Sequence, residues 1–404
     1  MQVLEDLSQP YQIIDFTWPI GFYSDGIHAG LRKHKLDLGW LYSKVPAQAA
    51  GVYTTNQFKA APTLTTAHLI KTNHQLQAMV MNSAIANSCT GALGLKNAQL
   101  TQEIAAAQLA IDPDLVGIAS TGLIGEQLPM AKLTAGIHKL ALTKNDALTS
   151  AVLTTDTHSK TISVQLQLSG EIVTISGFCK GSGMIHPNMC TMLGFITTDA
   201  NIQAETLQQL LSTETETTFN QITVDGDTST NDMVVALANG LAANQLIEPA
   251  TENYEKFAAA FHEIMVYLAK AIAQDGEGAS KLVEVTVEHA ANEADAKKVA
   301  KAIVGSNLVK AAIFGQDPNW GRLVAAIGQT DAKLDIAHLN LSLNGIPLVE
   351  QSQASNSDPK ILAHSMTQHQ INIVVNLNVG NARGQAWGCD LTYQYVKINA
   401  NYHT

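Results

Sequence analysis

Long apolar runs and targeting features are missing from this sequence. A transmembrane helix needs about 18 or more consecutive apolar residues, and the sequence contains no such run. The opening segment, MQVLEDLSQPYQ, carries Glu5 and Asp6 and lacks the apolar centre of a secretory signal. We therefore expect neither a membrane-spanning segment nor a secretory signal.

Cysteine and positive charge are also scarce. Four cysteines are spread along the chain and none forms a Cys-x-x-Cys pair, which argues against a disulfide framework or a zinc site. The 24 Lys and Arg residues are outnumbered by 35 Asp and Glu residues, so the net charge is −11. This balance argues against a broad nucleic-acid surface, although one or two well-placed cations could still hold a small anion. We expect a soluble cytoplasmic protein with no nucleic-acid or membrane partner.

What the sequence does contain is the composition and periodicity of a mixed α/β body. It has 404 residues, 46% of them hydrophobic, which is enough for two domain-sized halves or one large two-layer body. Alternating apolar residues on both sides of Ser169-Gly170 predict a β-hairpin. Helical spacing over residues 257–272 predicts an amphipathic helix, and alternation over 283–287 predicts a half-buried strand. Residues 277–280 then form a tight helix-to-strand connection, where functional residues are often placed.

The segment after the hairpin could support chemistry on the backbone itself. Its second strand leads into KGSGMIHPNMC, then Thr191, then the apolar run MLGFI, which we expect to be a buried strand. Glycines allow close backbone approach and Pro187 fixes the chain direction. A strained loop of this kind could undergo an N-to-O acyl shift that frees Thr191 as a new N-terminus. Its α-amine, with a pKa near ~7.7–8.0, could act as base for its own hydroxyl. From spacing alone, a packing loop or a phosphate cradle is favoured, because Gly-x-Gly is a weak motif.

Other hydroxyl-rich segments are equally ambiguous when taken singly. Ser120-Thr121-Gly122 can present a hydroxyl and a backbone N–H together, as an oxyanion hole requires, but a plain turn is commoner. The clusters at 154–157 (TTDT) and 224–232 (VDGDTSTND) are explained by Asx-turn chemistry. The second cluster lacks the glutamate that closes a calcium loop, since Ala236 stands at that position. We assign a metal to neither.

Two segments in the second half of the chain allow both a structural and a functional interpretation. FGQDPNWGR, ending at Arg322, contains a turn beside Trp320 that could be a binding wall or a packing corner. The closing residues, VKINANYHT, would fray on the simplest interpretation, since chain ends usually do.

Together these motifs resemble the ornithine acetyltransferase family, also called the bifunctional glutamate N-acetyltransferase family of arginine biosynthesis. The similarity runs nearly end to end. It includes AAGVYTTN, STG, KGSGMIHPNMCTML, DGDTSTND, DGEGASKL, FGQDPNWGR and AWGCDLTYQYVKINANYHT. The combination of KGSGMI-x-PNM-x-TML with DPNWGR is highly specific.

The resemblance implies an architecture and an assembly. The fold would be α/β (α+β), a layered sandwich of the ornithine acetyltransferase type built from two self-cleaved pieces. An α piece, residues 1–190, would contain the oxyanion hole and the cleavage loop. A β piece, residues 191–404, would begin with the nucleophile after cleavage between Cys190 and Thr191. The pieces would stay together as an α2β2 heterotetramer.

The resemblance also implies residue roles. Thr191 matches the nucleophile that carries the acetyl group, and Thr121 and Gly122 match the oxyanion hole. The positions that match substrate contacts are Thr154, Lys180, Thr191, Glu277, Asn399 and Thr404. Thr154 is chosen over Thr155 by counting back from Lys180. Lys180 would suit a substrate carboxylate, and Glu277 a cationic amine.

The implied reaction is a ping-pong acetyl transfer in arginine biosynthesis. N2-acetylornithine would acetylate Thr191, and glutamate would then accept the acetyl group. No cofactor is expected. Whether acetyl-CoA also serves as an acetyl donor stays open, because monofunctional and bifunctional members of the family share these motifs.

The sequence departs from the family pattern at three places. Cys190 stands where Ala is usual, which leaves the cleavage rate open. Ala84 and Ile85 stand where Gly and Asn are usual, which leaves the shape of the 82–87 loop open. Ser280 replaces the usual Thr, a mild change.

Two other functions remain as alternatives. An N-terminal-nucleophile amidohydrolase or aminopeptidase would cleave itself in the same way but pass the acyl group to water. The other alternative is a catalytically silent binding protein on the same fold. The presence of the whole set of matched site residues argues against such a binding protein, because a protein that retains only the fold need not keep them.

Overall fold

The computed structural model describes residues 9–186 and 192–401. Cys190, Thr191 and Thr404, which the sequence assigns to the cleavage site, the nucleophile and a substrate contact, lie outside the described residues.

The described residues form a mixture of strands and helices. The strands are β1 (Tyr11–Ile14), β2 (Phe22–Ile27), β3 (Leu38–Tyr53), β4 (Gln75–Asn82), β5 (Val116–Ser120), β6 (Lys160–Leu168), β7 (Glu171–Lys180), β8 (Leu193–Thr198), β9 (Ile222–Thr223), β10 (Met233–Ala238), β11 (Leu282–Ala290), β12 (Asn340–Leu343), β13 (Ile346–Glu350), β14 (Gln353–Ala354), β15 (Gln370–Asn376) and β16 (Ala382–Cys389). The helices are α1 (Ala61–Asn73), α2 (Gly91–Leu109), α3 (Met130–Ile137), α4 (Ala147–Ala151), α5 (Ala204–Thr217), α6 (Glu252–Gln274), α7 (Glu293–Gly305), α8 (Asn307–Phe314), α9 (Trp320–Gly328), α10 (Pro359–Ser365) and α11 (Tyr393–Asn401). Short 3-10 helices cover Pro113–Leu115 and Phe219–Gln221. Within residues 9–186 and 192–401, no helix has the length and apolar character needed to cross a bilayer.

The clearest sequence patterns are confirmed. Strands β6 and β7 form the predicted hairpin, with Leu168 opposite Glu171 across the Ser169-Gly170 turn. Helix α6 covers the predicted helical stretch and ends at Gln274, just before Asp275. Strand β11 carries the predicted alternation. The apolar run after Thr191 becomes β8, which is buried throughout.

The described chain divides into two compact units, each with its own sheet. The first comprises residues 9–181, 192–215 and 228–268, and the second comprises 182–186, 216–227 and 269–401. The predicted mixed α/β fold class is therefore confirmed. The units are not the predicted cleavage pieces: residues 182–186 precede Thr191 in the chain yet belong to the second unit. The division at 190/191 stays a prediction, because a compact unit is defined by its contacts and a piece by a break in the chain.

A nine-stranded sheet forms the centre of the first unit. Its strand order is β1-β6-β7-β8-β10-β3-β4-β5, and β2 pairs with β3 beside this path. The pairs β8/β10 and β4/β5 are parallel, and the other pairs are antiparallel. One hydrophobic cluster includes Phe178 and Phe195, and another includes Trp40 and Ala105. Strand β7 lies inside this sheet, so its end is held on both sides. Cys179 is the register partner of Lys160 in β6, and Lys180 is the register partner of Leu193 in β8.

A seven-stranded sheet organises the second unit, in the order β14-β13-β12-β15-β11-β16-β9. Val283, Val285 and Val287 of β11 contribute to a core with the apolar residues of α7. This core fixes the start of β11 and, with it, the connection from α6 that carries Glu277.

The parallel pair β4/β5 places two chain segments at one sheet edge. Asn82 and Ser120 are register partners at the ends of these strands, and the Ser120 hydroxyl donates to Asn82 Oδ1 at 2.6 Å. Because parallel strands end at the same edge, the loop after β4 and the Thr121-Gly122 turn after β5 meet there. Leu123 N–H donates to the Ala84 carbonyl at 2.8 Å, which ties the two segments together.

Ala84 occupies a backbone conformation that suits glycine. Its φ is +91°, a region where a Cβ atom is strained. This is the position where the sequence departs from the family pattern, in which glycine is usual. The loop thus keeps a backbone that suits glycine, at the cost of strain at Ala84.

We expect Ala84→Gly to stabilise the protein by about 1 kcal/mol. Relief of backbone strain of about 1–3 kcal/mol exceeds the chain-entropy cost of glycine, about 0.5–1 kcal/mol. The measurement is the free energy of unfolding from denaturant titration. Ala86→Gly in the same loop is the control. Ala86 does not have a positive φ, so Ala86→Gly should lower the free energy of unfolding. Equal effects of the two changes would contradict the strain at Ala84.

Candidate active-site residues

Gly122 has an unusual backbone at the turn after β5. Its φ is +124°, and a Cβ atom added there would lie 2.1 Å from the Ala84 carbonyl carbon. Only glycine fits such an approach. Thr121 N–H donates to the Asn82 carbonyl at 3.0 Å, whereas Gly122 N–H donates to no group within the described part of the chain. An N–H held in place without an acceptor is what an oxyanion hole requires.

Lys180 lies beside this turn. It is the last residue of β7 and is buried, with 8% of its surface exposed. Its Nζ donates to Thr121 Oγ1 at 3.3 Å. The structure therefore brings together two residues that are far apart in the sequence and were both assigned to the site.

Asp156 organises the surroundings of Lys180. Its carboxylate accepts from Lys160 Nζ at 2.7 Å, from Gly181 N–H at 2.7 Å and from Thr154 N–H at 3.1 Å. Burial alone would raise the pKa of Asp156, but the charges of Lys180 and Lys160 and these hydrogen bonds outweigh it and hold the pKa well below the usual range. Asp156 thus links the Thr154 backbone to the end of β7 as a buried carboxylate.

Asp232 is a second buried carboxyl near Lys180, and its pKa is shifted in the opposite direction. It precedes β10, whose Met233 is the register partner of Leu193 in β8. Burial raises the pKa of Asp232 well above its usual range, and a hydrogen bond from Ser229 and the charge of Lys180 lower it only in part. Within residues 9–186 and 192–401, its Oδ2 has no hydrogen-bond partner. Burial of this carboxyl therefore favours its protonated form.

Lys180 is the less fully compensated cation of this cluster. Asp156 and Lys160 form a buried ion pair, and the raised pKa of Asp232 weakens the counter-charge that it offers Lys180. A buried cation without a full counter-charge favours an anionic ligand, such as a carboxylate or a developing oxyanion. Neither Asp156 nor Asp232 was predicted to be functional, because both lie in clusters whose composition is explained by turn chemistry. Sequence spacing held no signal that either lies beside Lys180.

In the second unit, Glu277 and Asn399 meet directly. Asn399 Nδ2 donates to Glu277 Oε2 at 2.7 Å, and Glu277 is buried, with 9% of its surface exposed. Asn399 belongs to α11, so the interpretation of the chain end as frayed is wrong for residues up to Asn401. Helix α11 begins after Thr392, whose hydroxyl donates to the Gly278 carbonyl at 2.7 Å. This bond places the start of the helix next to the Glu277 connection.

The described candidates thus fall into two sets, one in each unit. Thr121, Gly122, Lys180 and the Thr154 backbone form the first set, and it offers a hydroxyl, an N–H donor and a cation. Glu277 and Asn399 form the second set, and it offers an oriented carboxylate. The first set suits an anion and the second a cationic amine. The choice of Thr154 rather than Thr155 as the residue that contacts the substrate stays a prediction.

Replacing the two buried aspartates should have opposite effects. Asp156→Asn should destabilise the protein by about 3–5 kcal/mol, because it leaves Lys160 buried without its counter-charge. Asp232→Asn should be neutral or stabilising at pH 7, because burial disfavours ionisation of Asp232 and asparagine carries no charge. The measurement is the free energy of unfolding at pH 7. Similar losses in the two variants would contradict the opposite pKa shifts.

The pH dependence should separate the two variants further. The pKa of Asp156 is lowered on folding, so its contribution is present above the unfolded value near ~3.9 and is lost as pH falls. The pKa of Asp232 is raised, so the wild type loses stability relative to Asp232→Asn as pH rises above ~3.9. Measured from pH 4 to 7, the wild-type advantage over Asp156→Asn should stay nearly constant and should fall only below pH ~3.9, whereas the advantage of Asp232→Asn over wild type should grow as the pH rises.

Comparison with known proteins places the chain in a family. Residues 23–404 match the ArgJ family. The arginine biosynthesis bifunctional protein ArgJ of Lactiplantibacillus plantarum is 59% identical over 404 residues, which is 100% of both chains. The protein of the same name from Streptococcus thermophilus is 51% identical over 396 residues, covering 97% of this chain and 100% of the relative. The crystal structure of ArgJ from Bacillus halodurans is similar at 48% identity and a TM-score of 0.51, covering 52% of this chain and 98% of that one.

The resemblance inferred from the sequence motifs is therefore confirmed over nearly the whole chain. This chain belongs to the ArgJ family of acetyltransferases of arginine biosynthesis.

Proposed function

We propose that this enzyme transfers an acetyl group from N2-acetylornithine to glutamate through an acetyl ester on Thr191. The observation that carries the proposal is the Thr121–Gly122–Lys180 arrangement, which holds together a hydroxyl, a buried cation and an N–H that has no acceptor among residues 9–186 and 192–401. Acetyl transfer passes through a tetrahedral oxyanion, and donors fixed in advance lower its energy. Loss of one such donor costs roughly 10²–10³ in rate.

The nucleophile would be made by the chain itself. Thr191 Oγ attacks the Cys190 carbonyl, the peptide bond becomes an ester, and water hydrolyses that ester to give a Cys190 carboxylate and a free Thr191 amine. The free amine then takes the proton of its own hydroxyl, as in other N-terminal nucleophiles. The positive charge of Lys180 would favour the unprotonated amine.

The lengths of the relatives support cleavage. The curated ArgJ sequences match this chain from end to end. The solved Bacillus halodurans chain matches over 98% of its own length and yet covers 52% of this one, so it is about half as long. A half-length chain from a family of full-length sequences is what a cut near the middle produces.

The charges of the two sets support the choice of amino-acid substrates. We assign the α-carboxylate of ornithine or glutamate to Lys180, with Thr154 beside it, and the cationic amine to Glu277 as oriented by Asn399. Thr404 is assigned a further substrate contact. Assembly as an α2β2 heterotetramer in the cytoplasm, without a cofactor, belongs to the same proposal. Acetyl-CoA as a second acetyl donor is tested directly by supplying it in place of N-acetylornithine.

The first prediction concerns cleavage and the acetyl carrier. Intact-mass analysis of purified protein should show pieces of residues 1–190 and 191–404. Incubation with N-acetylornithine and no glutamate should add one acetyl group to the second piece. Thr191→Ala should stay whole and inactive, because it has no hydroxyl to attack the Cys190 carbonyl.

Cys190→Ala is the matched control, since it changes the neighbouring residue and keeps the hydroxyl. It should still cleave and carry the acetyl group. Acetyl found on Cys190 would overturn Thr191 as nucleophile. Free acetate released without glutamate as fast as acetyl transfer would favour the amidohydrolase alternative.

The second prediction concerns Asn399. Asn399→Ala should lower kcat/KM for N-acetylornithine by about 10- to 100-fold, because it removes a hydrogen bond to a charged group worth about 1.5–3 kcal/mol. Asn401→Ala is the control. Among the residues that the structure describes, the Asn401 side chain bonds the Lys397 carbonyl of the same helix, at 2.8 Å, and no other group, so the kinetics of this variant should match wild type. Equal kinetics of both variants and wild type would remove Asn399 from the site.

A further inference from the structure

The segment before the cleavage position is bound tightly to Asp225 in the second unit. Asp225 Oδ2 accepts from Met184 N–H at 2.7 Å, and its Oδ1 accepts from Ile185 N–H at 2.8 Å. Both N–H groups of two consecutive residues therefore point at one carboxylate. The arrangement requires a positive φ of +56° at Met184, a conformation that costs a non-glycine residue free energy.

Neighbouring residues reinforce this attachment. The Ile185 carbonyl accepts from Val224 N–H at 2.7 Å and from the Thr223 hydroxyl at 3.1 Å. His186 Nδ1 lies 3.0 Å from Thr223 Oγ1. Residues 184–186 are thus fastened along residues 223–225 up to the last described residue before the cleavage loop.

The same segment supports Glu277. The Ser182 carbonyl accepts from Glu277 N–H at 2.9 Å, and the Ser182 hydroxyl donates to the Asp275 carbonyl at 2.7 Å. A Cβ atom on Gly183 would lie 2.4 Å from the Glu277 carboxyl, so the Glu277 carboxylate packs directly on the Gly183 backbone. Any movement of residues 182–185 would move the surface on which Glu277 rests.

Helix α11 is attached to the same carboxylate. Tyr395 Oη donates to Asp225 Oδ2 at 3.3 Å, one helical turn before Asn399, which binds Glu277. Burial and the charges of Asp225, Glu277 and Asp227 raise the pKa of Tyr395, so its hydroxyl keeps the proton that it donates. Asp225 therefore contacts both the loop under Glu277 and the helix that orients Glu277.

We propose that Asp225 is a positioning residue: its carboxylate holds residues 183–186 in the conformation needed for self-cleavage and keeps Gly183 in place beneath Glu277. The inference rests on the proposed function, since it takes the cut to fall at Cys190–Thr191. After that cut, residues 182–186 belong to the first piece, whereas Asp225, Glu277 and Tyr395 belong to the second. The hydrogen bonds of Asp225 to Met184 and Ile185 then join two separate chains. They keep residues 182–186 of the first piece attached to the second unit.

The test compares Asp225→Asn with Asp227→Asn. Both remove one negative charge from the same loop, but Asp227 is exposed and its backbone N–H, not its side chain, bonds Asp225. Asparagine at 225 can accept with one atom only, and its amide hydrogens oppose the second N–H. Self-cleavage of Asp225→Asn, followed by intact mass after cell-free synthesis, should be about tenfold slower than wild type. Asp227→Asn should cleave at the wild-type rate.

The kinetics of the matured enzymes should separate positioning from general damage. Once cleaved, Asp225→Asn should show KM for N-acetylornithine raised about tenfold with kcat within about threefold of wild type, since Glu277 binds and does not react. Tyr395→Phe, which keeps the carboxylate and loses one bond, should show a smaller rise in KM. If Asp225→Asn fails to fold, the KM of Tyr395→Phe tests the role of Asp225 instead. A KM equal to that of wild type would contradict the role.

Hydrogen exchange makes the outcome independent of activity. In wild type and Asp227→Asn, the Met184 and Ile185 amides should be protected, and in Asp225→Asn they should exchange at least about tenfold faster. Unchanged exchange and unchanged KM would overturn the role of Asp225, and so would equal losses in the Asp227→Asn control. An uncut, unacetylated wild type would instead contradict the proposed function, and the exchange rates would still decide whether Asp225 holds the segment.

Discussion

The buried charge of Asp156 is the constraint on which the first unit's site depends. A carboxylate taken out of water is costly unless its partners replace the water. Here Lys160 and the backbone N–H groups of Gly181 and Thr154 do so. Because Gly181 follows Lys180, satisfying this carboxylate also fixes where β7 ends. The hydrogen bonds that compensate for burying the Asp156 charge thus also fix the position of the Lys180 cation.

The second unit uses the same principle with a carboxylate that is only partly buried. Asp225 takes two consecutive backbone N–H groups and a tyrosine hydroxyl, and Glu277 rests on the backbone beside them. In both units an aspartate with no proposed part in the reaction positions a residue that has one. A strained backbone position lies close to each of these sites. Ala84, next to Gly122, has a positive φ, and so does Met184, which follows Gly183. Such strain persists only where surrounding hydrogen bonds over-determine the backbone, and both segments have them.

The opposite pKa shifts near Lys180 have a functional consequence. The charges of Lys180 and Lys160 and several hydrogen bonds lower the pKa of Asp156, whereas burial raises the pKa of Asp232. The raised pKa weakens the counter-charge that Asp232 offers Lys180. A protein with a net charge of −11 thus presents a buried cation at the proposed substrate site, because local burial and not the overall charge sets the local field.

The sequence by itself determined the periodic elements, the fold class and the family. The hairpin around Ser169-Gly170, helix α6 and strand β11 follow from alternation or helical spacing, which depend on short-range geometry. The motifs around Lys180, Thr121 and Glu277 were visible because their residue types and order are specific. The frayed interpretation of the chain end failed because the order of residues 393–401 comes from contacts with residues far away in sequence, such as Gly278 and Glu277. Only the tertiary structure decided that the pKa of Asp156 is lowered and that of Asp232 is raised beside Lys180, and that Asp225 binds the backbone before residue 187. Burial and long-range hydrogen bonds set those properties, and neither is encoded in the spacing of residues along the chain.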